Sequence, residues 1–131
     1  MSFPLGGNAQ PGATRITRAR IFKSATSVTN ASFRLHLYGA LPTVANGDNG
    51  AFSSTKAADY LGFINLDLTT LPGAKFSDGA AGNGAAAAGS EMMIRLATGG
   101  GIIYGLLEVL AAYTPASAEV FTVTIEDLAA Y

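Results

Sequence analysis

The sequence contains no cysteine and no tryptophan, and it has a single histidine among its 131 residues. The absence of cysteine excludes disulfides, thiolate chemistry and Cys-based zinc sites. One histidine excludes a metal site built from several imidazoles. No catalytic grouping, cofactor motif or metal-ligand set emerges from the other residues, so we predict a protein that is not an enzyme and uses no cofactor.

Charge is scarce as well. Charged residues make up 13% of the chain, where about 25% is usual for a soluble domain. Because soluble surfaces normally carry more charge, this composition predicts that a partner covers part of the surface. The length suits one domain with a core of its own.

Targeting segments are also missing. The first residues, MSFPLGGNAQPGATR, lack a basic region followed by an apolar run, so they do not resemble a secretory signal. The longest apolar run, GGGIIYGLLEVLAAYTP, is too short to span a bilayer and is interrupted by Glu108. We therefore expect synthesis in a cytosol and no membrane contact.

The few charges are unevenly distributed. Residues 1–40 hold five basic residues and no acid, whereas residues 91–131 hold five acids against Arg95 alone. The basic residues are Arg15, Arg18, Arg20, Lys23 and Arg34, and the acids are Glu91, Glu108, Glu119, Glu126 and Asp127. Nucleic-acid binding usually needs clustered Lys and Arg, so this dispersed pattern predicts charge pairing within the fold or between subunits.

Alternation with a period of two indicates β-strands. In SFRLHLYGA, Phe33, Leu35 and Leu37 point one way, and Arg34, His36 and Tyr38 point the other. Further strands are predicted in RITRARIFKSA, YLGFINLDL, EMMIRLAT and VFTVTIED. Six or more strands separated by turn signals predict an all-β fold, an antiparallel, jelly-roll-like β-sandwich over residues 15–131.

Two segments need their own interpretation. The apolar stretch from Ile102 to Tyr113 is predicted to be a central strand, joined to the last strand through TPASAE as a hairpin-like pair. Residues 1–14, rich in Gly and Pro, predict an extended, flexible N-terminal arm without a core of its own. Phe3 and Leu5 are its apolar side chains, and we expect both to anchor it on a neighbouring subunit.

Motifs that could carry chemistry have structural interpretations. GAAGNGAAAAGS lacks the Lys-Ser/Thr of a phosphate loop and is expected to be a flexible surface loop. His36 has no nucleophile-elbow motif near it. Carbohydrate binding stays an alternative, although flat tryptophan faces are absent and the tyrosines are scattered. We expect Arg34, His36 and Tyr38 to form a contact surface, with Arg34 paired to a carboxylate.

Two stretches resemble a known family. SFRLHLYGALPTVANGDNGAFSSTKAADYLGFINL and YGLLEVLAAYTPASAEVFTVTI are similar to small proteins encoded beside the major capsid protein of tailed bacteriophages. The positions that match are Arg34, Leu35, Leu37, Tyr38, Pro42, Asn46, Asp48, Asn49, Ala51 and Phe52, followed by Tyr104, Gly105, Leu106, Ala112, Tyr113, Thr114, Pro115, Ser117, Glu119 and Phe121.

The resemblance implies a capsid decoration, or cement, protein of the virion. Such a protein would bind the outside of the shell, bridge neighbouring major capsid subunits, and associate with itself as a dimer or trimer. A tail or fibre component and a carbohydrate-binding β-sandwich are the alternatives.

Overall fold

The computed structural model describes residues 1–4, 13–24, 32–46, 50–67, 84–95, 101–115 and 117–130. Within these ranges the chain forms seven strands and a short 3-10 turn at Ala57–Asp59, with no α-helix. The strands are β1 (Ser2–Pro4), β2 (Ala13–Lys23), β3 (Ser32–Tyr38), β4 (Tyr60–Asp67), β5 (Gly84–Arg95), β6 (Ile102–Val109) and β7 (Phe121–Ala130). The prediction of an all-β chain is confirmed.

The strands form two antiparallel sheets. Sheet A has the order β1-β6-β3-β4, and sheet B has the order β5-β2-β7. Both sheets contribute to one hydrophobic core, in which Ile16 and Ile21 of sheet B pack with Leu35, Ile64 and Ile103 of sheet A. The core therefore lies where the apolar faces of the two sheets meet.

The alternation in β3 places its residues as predicted. Phe33, Leu35 and Leu37 are 1% exposed or less and belong to the core. Val123 and Ile125 of β7, within the predicted strand VFTVTIED, are partly buried and pack against the same core. Each fully buried aliphatic side chain stabilises the fold by about 1.5–3 kcal/mol.

A register shift between Ile16 and Arg18 interrupts β2. Before it Thr14 and Ile16 are buried, and after it Ala19 and Ile21 are buried. The spacing between buried positions thus changes from two residues to three at the irregularity, as a β-bulge requires.

The charges pair within the fold as the sequence predicted. Glu126 on β7 lies 3.4 Å from Arg18 Nε and 2.9 Å from Arg20 Nη2. Lys23 Nζ lies 3.7 Å from Glu119 Oε1, and both of these side chains are 0% exposed. The Tyr113 hydroxyl donates to Oε2 of the same carboxylate. Basic residues from the first part of the chain therefore neutralise acids from the last part.

The predicted hairpin between the last two strands is wrong. β6 is an inner strand of sheet A, as expected, but it ends at Val109 and lies between β1 and β3. β7 pairs with β2 in sheet B. The connecting segment changes sheet, and it is fixed to the end of β2 because Ser24 N donates to Val120 O at 2.9 Å. The same turn residues occur in hairpins and in connections that pass from one sheet to the other. They therefore did not show that β7 pairs with β2 instead of with its neighbour in sequence, β6.

The N-terminal residues differ from the predicted arm at both ends. Ser2–Pro4 pairs with β6, and Phe3 is 8% exposed within the chain's own core, because its ring is covered by sheet A. At the other end, β2 already begins at Ala13. Residues 5–12, with Leu5 among them, lie outside the described residues.

The glycine-rich segment is also corrected in part. Residues 84–90, predicted to be a flexible loop, form the first part of β5. The register pairs Ala85 with Ile21 and Ala88 with Arg18. Ladder hydrogen bonds use backbone groups only, so a run of small residues can pair with β2 despite its weak strand propensity.

Candidate functional site

The outward-pointing residues of β3 form rows with those of β4 and β6. The register aligns Arg34 with Asn65 on one side and with Glu108 on the other. The next row aligns His36 with Phe63 and Leu106. We call this surface the outer face of sheet A, defined by Arg34, His36, Tyr38, Tyr60, Phe63, Asn65 and Glu108. It brings together residues that are far apart in the sequence.

Arg34 is held by three neighbours on this face. Its Nη1 lies 3.9 Å from Glu108 Oε2, and its Nε donates to Asn65 Oδ1 at 3.0 Å. Its guanidinium carbon lies 4.5 Å from the centre of the Phe63 ring, within the range of a cation–π contact. The prediction that Arg34 pairs with a carboxylate is confirmed, with the partner on the same chain.

His36 is covered by the chain itself, contrary to the expected contact role. The residue is 8% exposed, and the Phe52 ring stacks on the imidazole at 4.3 Å and 13°. Nε2 lies 2.9 Å from Glu108 Oε2, and Nδ1 lies 3.1 Å from the Tyr60 hydroxyl. In the neutral imidazole, Nε2–H therefore donates to the carboxylate while Nδ1 accepts from Tyr60.

Tyr38 is likewise buried, with 2% exposure, and its hydroxyl bonds to the Ser54 hydroxyl. The covering segment is a short antiparallel pair formed between residues 43–45 and residues 53–55. Ala45 N donates to Ser53 O at 2.8 Å, and Thr55 N donates to Thr43 O at 3.0 Å. This segment therefore covers polar side chains on the outward face of β3. The alternation of residues in β3 did not predict that this face would be covered.

Tyr60 completes the hydrogen-bond chain from Glu108 through His36. Burial raises the pKa of its phenol, the neighbouring Tyr38 and Glu108 raise it further, and Arg34 opposes them. A hydroxyl with a raised pKa keeps its proton and donates it in a hydrogen bond. The order carboxylate, imidazole, hydroxyl resembles that of a catalytic triad, with a tyrosine in the place of the serine. The three side chains form one hydrogen-bonded chain on the outer face of sheet A.

An open cleft lies beside this network, between residues 44 and 50–52 on one side and the end of β6 on the other. Its volume is about 690 Å³, and its lining includes Val44, Phe52, Leu107 and Val109 together with Glu108. Val44 and Val109 are nearly half-exposed at 46% and 47%. The cleft offers apolar contact, and the Glu108 carboxylate in its lining is engaged by Arg34 and His36.

The predicted contact residues separate into three groups. Arg34, His36 and Tyr38 lie together, but only Arg34 keeps a substantially exposed side chain, at 33%. Phe3 lies in the core, and Leu5 lies outside the described residues. Phe63, which is 46% exposed, was not among the predicted contact residues, although alternation along β4 places it outward.

Two of the five tyrosines, Tyr38 and Tyr60, are grouped with other aromatic side chains on this face. The rings of Tyr38 and Tyr60 lie 5.3 Å apart, and Phe52, Tyr60 and Phe63 all lie within about 6 Å of His36. Phe52 had no local signal, because it lies in an irregular segment.

Comparisons with protein-family models, curated proteins and solved structures give no match for this chain. In the part of the chain that the structure describes, no helix is long and apolar enough to cross a membrane. Within the same residues, no group of three or more His, Asp or Glu side chains is placed to hold a metal ion.

Proposed function

We propose that the protein is a structural virion component that decorates the outside of a bacteriophage capsid and bridges neighbouring major capsid subunits. The outer face of sheet A and the cleft beside it form the contact. The observation that carries this proposal is that the charged groups of this face are already paired with one another, while apolar and aromatic side chains around them stay exposed.

A surface of this kind is suited to being covered. Burying a charge without its partner is costly, but a partner that covers Arg34 also covers Glu108 and Asn65, so no charge is left alone. Aromatic residues and Arg are enriched at the centres of protein interfaces, where Lys and acids are depleted. Phe63, 46% exposed and in contact with Arg34, is the natural anchor.

The fold supports the same role. The chain passes repeatedly between the sheets, with β1, β3, β4 and β6 in sheet A and β2, β5 and β7 in sheet B. This interleaving is in keeping with a jelly-roll-like β-sandwich, an architecture used in many shell proteins. We propose a dimer or trimer on the outer capsid surface, assembled in the host cytoplasm, with Leu5 of the N-terminal arm contacting a neighbouring subunit.

The test uses one exposed residue on each sheet. Phe63→Ser removes the anchor from the outer face of sheet A, and Leu128→Ser is the matched control, since Leu128 on β7 is 55% exposed. Both variants should melt like the parent. The binding partner is an undecorated shell of the major capsid protein encoded beside this one. Because Phe63 is the proposed anchor, Phe63→Ser should weaken binding by about tenfold or more, and Leu128→Ser should not. Equal binding by both variants contradicts the proposal.

Carbohydrate binding is the second candidate, because Phe63 and Tyr60 are 46% and 41% exposed beside the polar groups of Arg34 and Asn65. Exposed rings next to hydrogen-bonding groups suit a sugar ring. A glycan array with the parent and the Phe63→Ser variant separates the two functions, since a sugar-binding protein loses a defined glycan signal on this substitution. Density for the protein at the tail of purified particles, instead of on the shell, would favour the tail or fibre alternative.

A further inference from the structure

The edge of β6 holds β1 through a short and self-contained set of contacts. Gly105 N donates to Met1 O at 2.9 Å, and the Met1 ammonium donates to Gly105 O at 3.0 Å. The register continues through Ser2 with Tyr104, Phe3 with Ile103 and Pro4 with Ile102. Among the described strands, β1 has no other sheet neighbour.

Gly105 creates a notch for the side chain that enters with this strand. A Cβ atom at position 105 would lie 2.8 Å from Phe3 Cε2 and 3.0 Å from Leu35 Cδ1. Cβ atoms in proteins do not approach other atoms as closely as 2.8 Å, so position 105 must be glycine for the Phe3 ring to lie where it does. The groove therefore accepts a short extended segment with an aromatic residue at its centre, and this chain carries that segment.

The link between the inserted strand and the rest of the chain is long enough to reach elsewhere. Residues 5–12 join β1 to β2 and include three glycines and one proline. Extended, this connection spans roughly 30 Å, at about 3.3 Å per residue. A neighbouring copy at that distance presents the same β6 edge and the same notch, so every backbone contact of β1 can be made between two copies as well as within one.

We propose that β1 is an exchangeable strand: residues 1–4 of one copy occupy the β6 edge and the Gly105 notch of a second copy. Exchange of an identical element reuses contacts that the chain already makes with itself, which makes it a low-cost route to a dimer. The connection keeps a chain's own β1 near its β6 edge at an effective concentration of the order of mM. Exchange is therefore favoured when the local concentration of neighbouring copies approaches that value. This inference does not depend on the capsid role, and its test uses the purified protein alone.

The absence of cysteine allows a clean test by disulfide trapping. Met1 and Gly105 exchange both backbone hydrogen bonds, so Ser2 and Tyr104 form the adjacent non-hydrogen-bonded pair, in which Cα atoms lie about 4.5 Å apart, within disulfide range. One full-length chain carries Ser2→Cys, and another carries Tyr104→Cys. The two are mixed in a glutathione redox buffer over a range of concentrations, and disulfide-linked heterodimers are counted on a non-reducing gel.

Three further variants make the result decisive. The double variant Ser2→Cys/Tyr104→Cys checks the register by closing a disulfide within or between chains. Leu128→Cys, mixed with Ser2→Cys, measures random collision at an exposed site. Phe3→Ala added to both chains removes the ring that holds β1 in either groove, so β1 should leave every groove and the heterodimer should fall towards the level of the Leu128→Cys control. If Tyr104→Cys does not fold, Pro4→Cys with Ile102→Cys supplies the next non-hydrogen-bonded pair.

Exchange predicts a heterodimer that increases with concentration, exceeds the Leu128→Cys control and depends on Phe3. No heterodimer at any concentration, with the double variant closing only within one chain, overturns it. Heterodimer equal to the control also overturns it, because the cross-link then reports collision. A double variant that forms no disulfide overturns the register on which the inference rests.

Discussion

The buried pair between Lys23 and Glu119 gives the sharpest prediction about stability. Lys23→Met keeps most of the side-chain volume but leaves the Glu119 carboxylate in a place where both side chains are 0% exposed. Removing one member of a buried pair typically costs about 3–5 kcal/mol, since the remaining charge loses its counter-charge without regaining water. The usual free energy of unfolding is about 5–15 kcal/mol, so the loss would be a large part of the total.

The measurement is urea unfolding of the parent and three variants. In Lys23→Met/Glu119→Gln the uncompensated charge is gone and the amide still accepts from Tyr113, so most of the lost stability should return. Arg18→Met is the matched control, because Arg18 and Glu126 are 42% and 45% exposed and such pairs contribute about 1 kcal/mol or less. A loss for Lys23→Met no larger than that for Arg18→Met, at an unchanged m-value, would refute the reasoning.

Three more outcomes are expected. Gly105→Ala should lower stability by about 1–3 kcal/mol, since its Cβ would lie 2.8 Å from Phe3 Cε2, and it should increase amide exchange of Phe3; unchanged melting and exchange would contradict the notch. Leu37→Ala should cost about 2–5 kcal/mol in thermal unfolding, whereas Leu128→Ala on the exposed side of β7 should cost little, and equal losses would contradict the register. The pKa of the Tyr60 phenol is raised, first by burial, so the folded state holds the phenol proton more tightly than the unfolded state. The stability that this gives is present below about pH 10 and is lost as the pH rises through the folded pKa. Tyr60→Phe should therefore lose less stability than the parent in alkaline unfolding curves, and an equal decline of both proteins would contradict the prediction.

The sequence was most informative where neighbouring residues define a strand. Period-two alternation placed Leu35 and Leu37 in the core, because consecutive residues of a half-buried strand point alternately to the core and to the solvent. The uneven charge distribution predicted pairing within the fold or between subunits, and Arg20 with Glu126 is a pair within the fold. That inference came from the position of the charges along the chain, with basic residues near one end and acids near the other.

The sequence was least informative where distant segments meet. His36 and Glu108 are 72 residues apart, and no local pattern says that they share a hydrogen bond. The cover provided by Phe52 comes from an irregular segment, where side-chain direction does not follow a period. The TPASAE connection has the residues of a hairpin turn, yet its direction is set by which sheet receives β7, and that choice depends on β2 near the other end of the chain.

The pairing of β2 with β7 has a consequence for biosynthesis. Thr14 bonds to Asp127 across 113 residues, and the Met1 ammonium bonds to Gly105 across 104. The middle strand of sheet B therefore lacks one neighbour, and the edge groove for β1 does not exist, until the distal strands have left the ribosome. Contacts of such long sequence separation slow folding and leave strand edges open meanwhile. The nascent chain should thus depend on chaperones until synthesis is nearly finished, and a chain stopped before residue 121 should aggregate instead of forming a smaller stable domain.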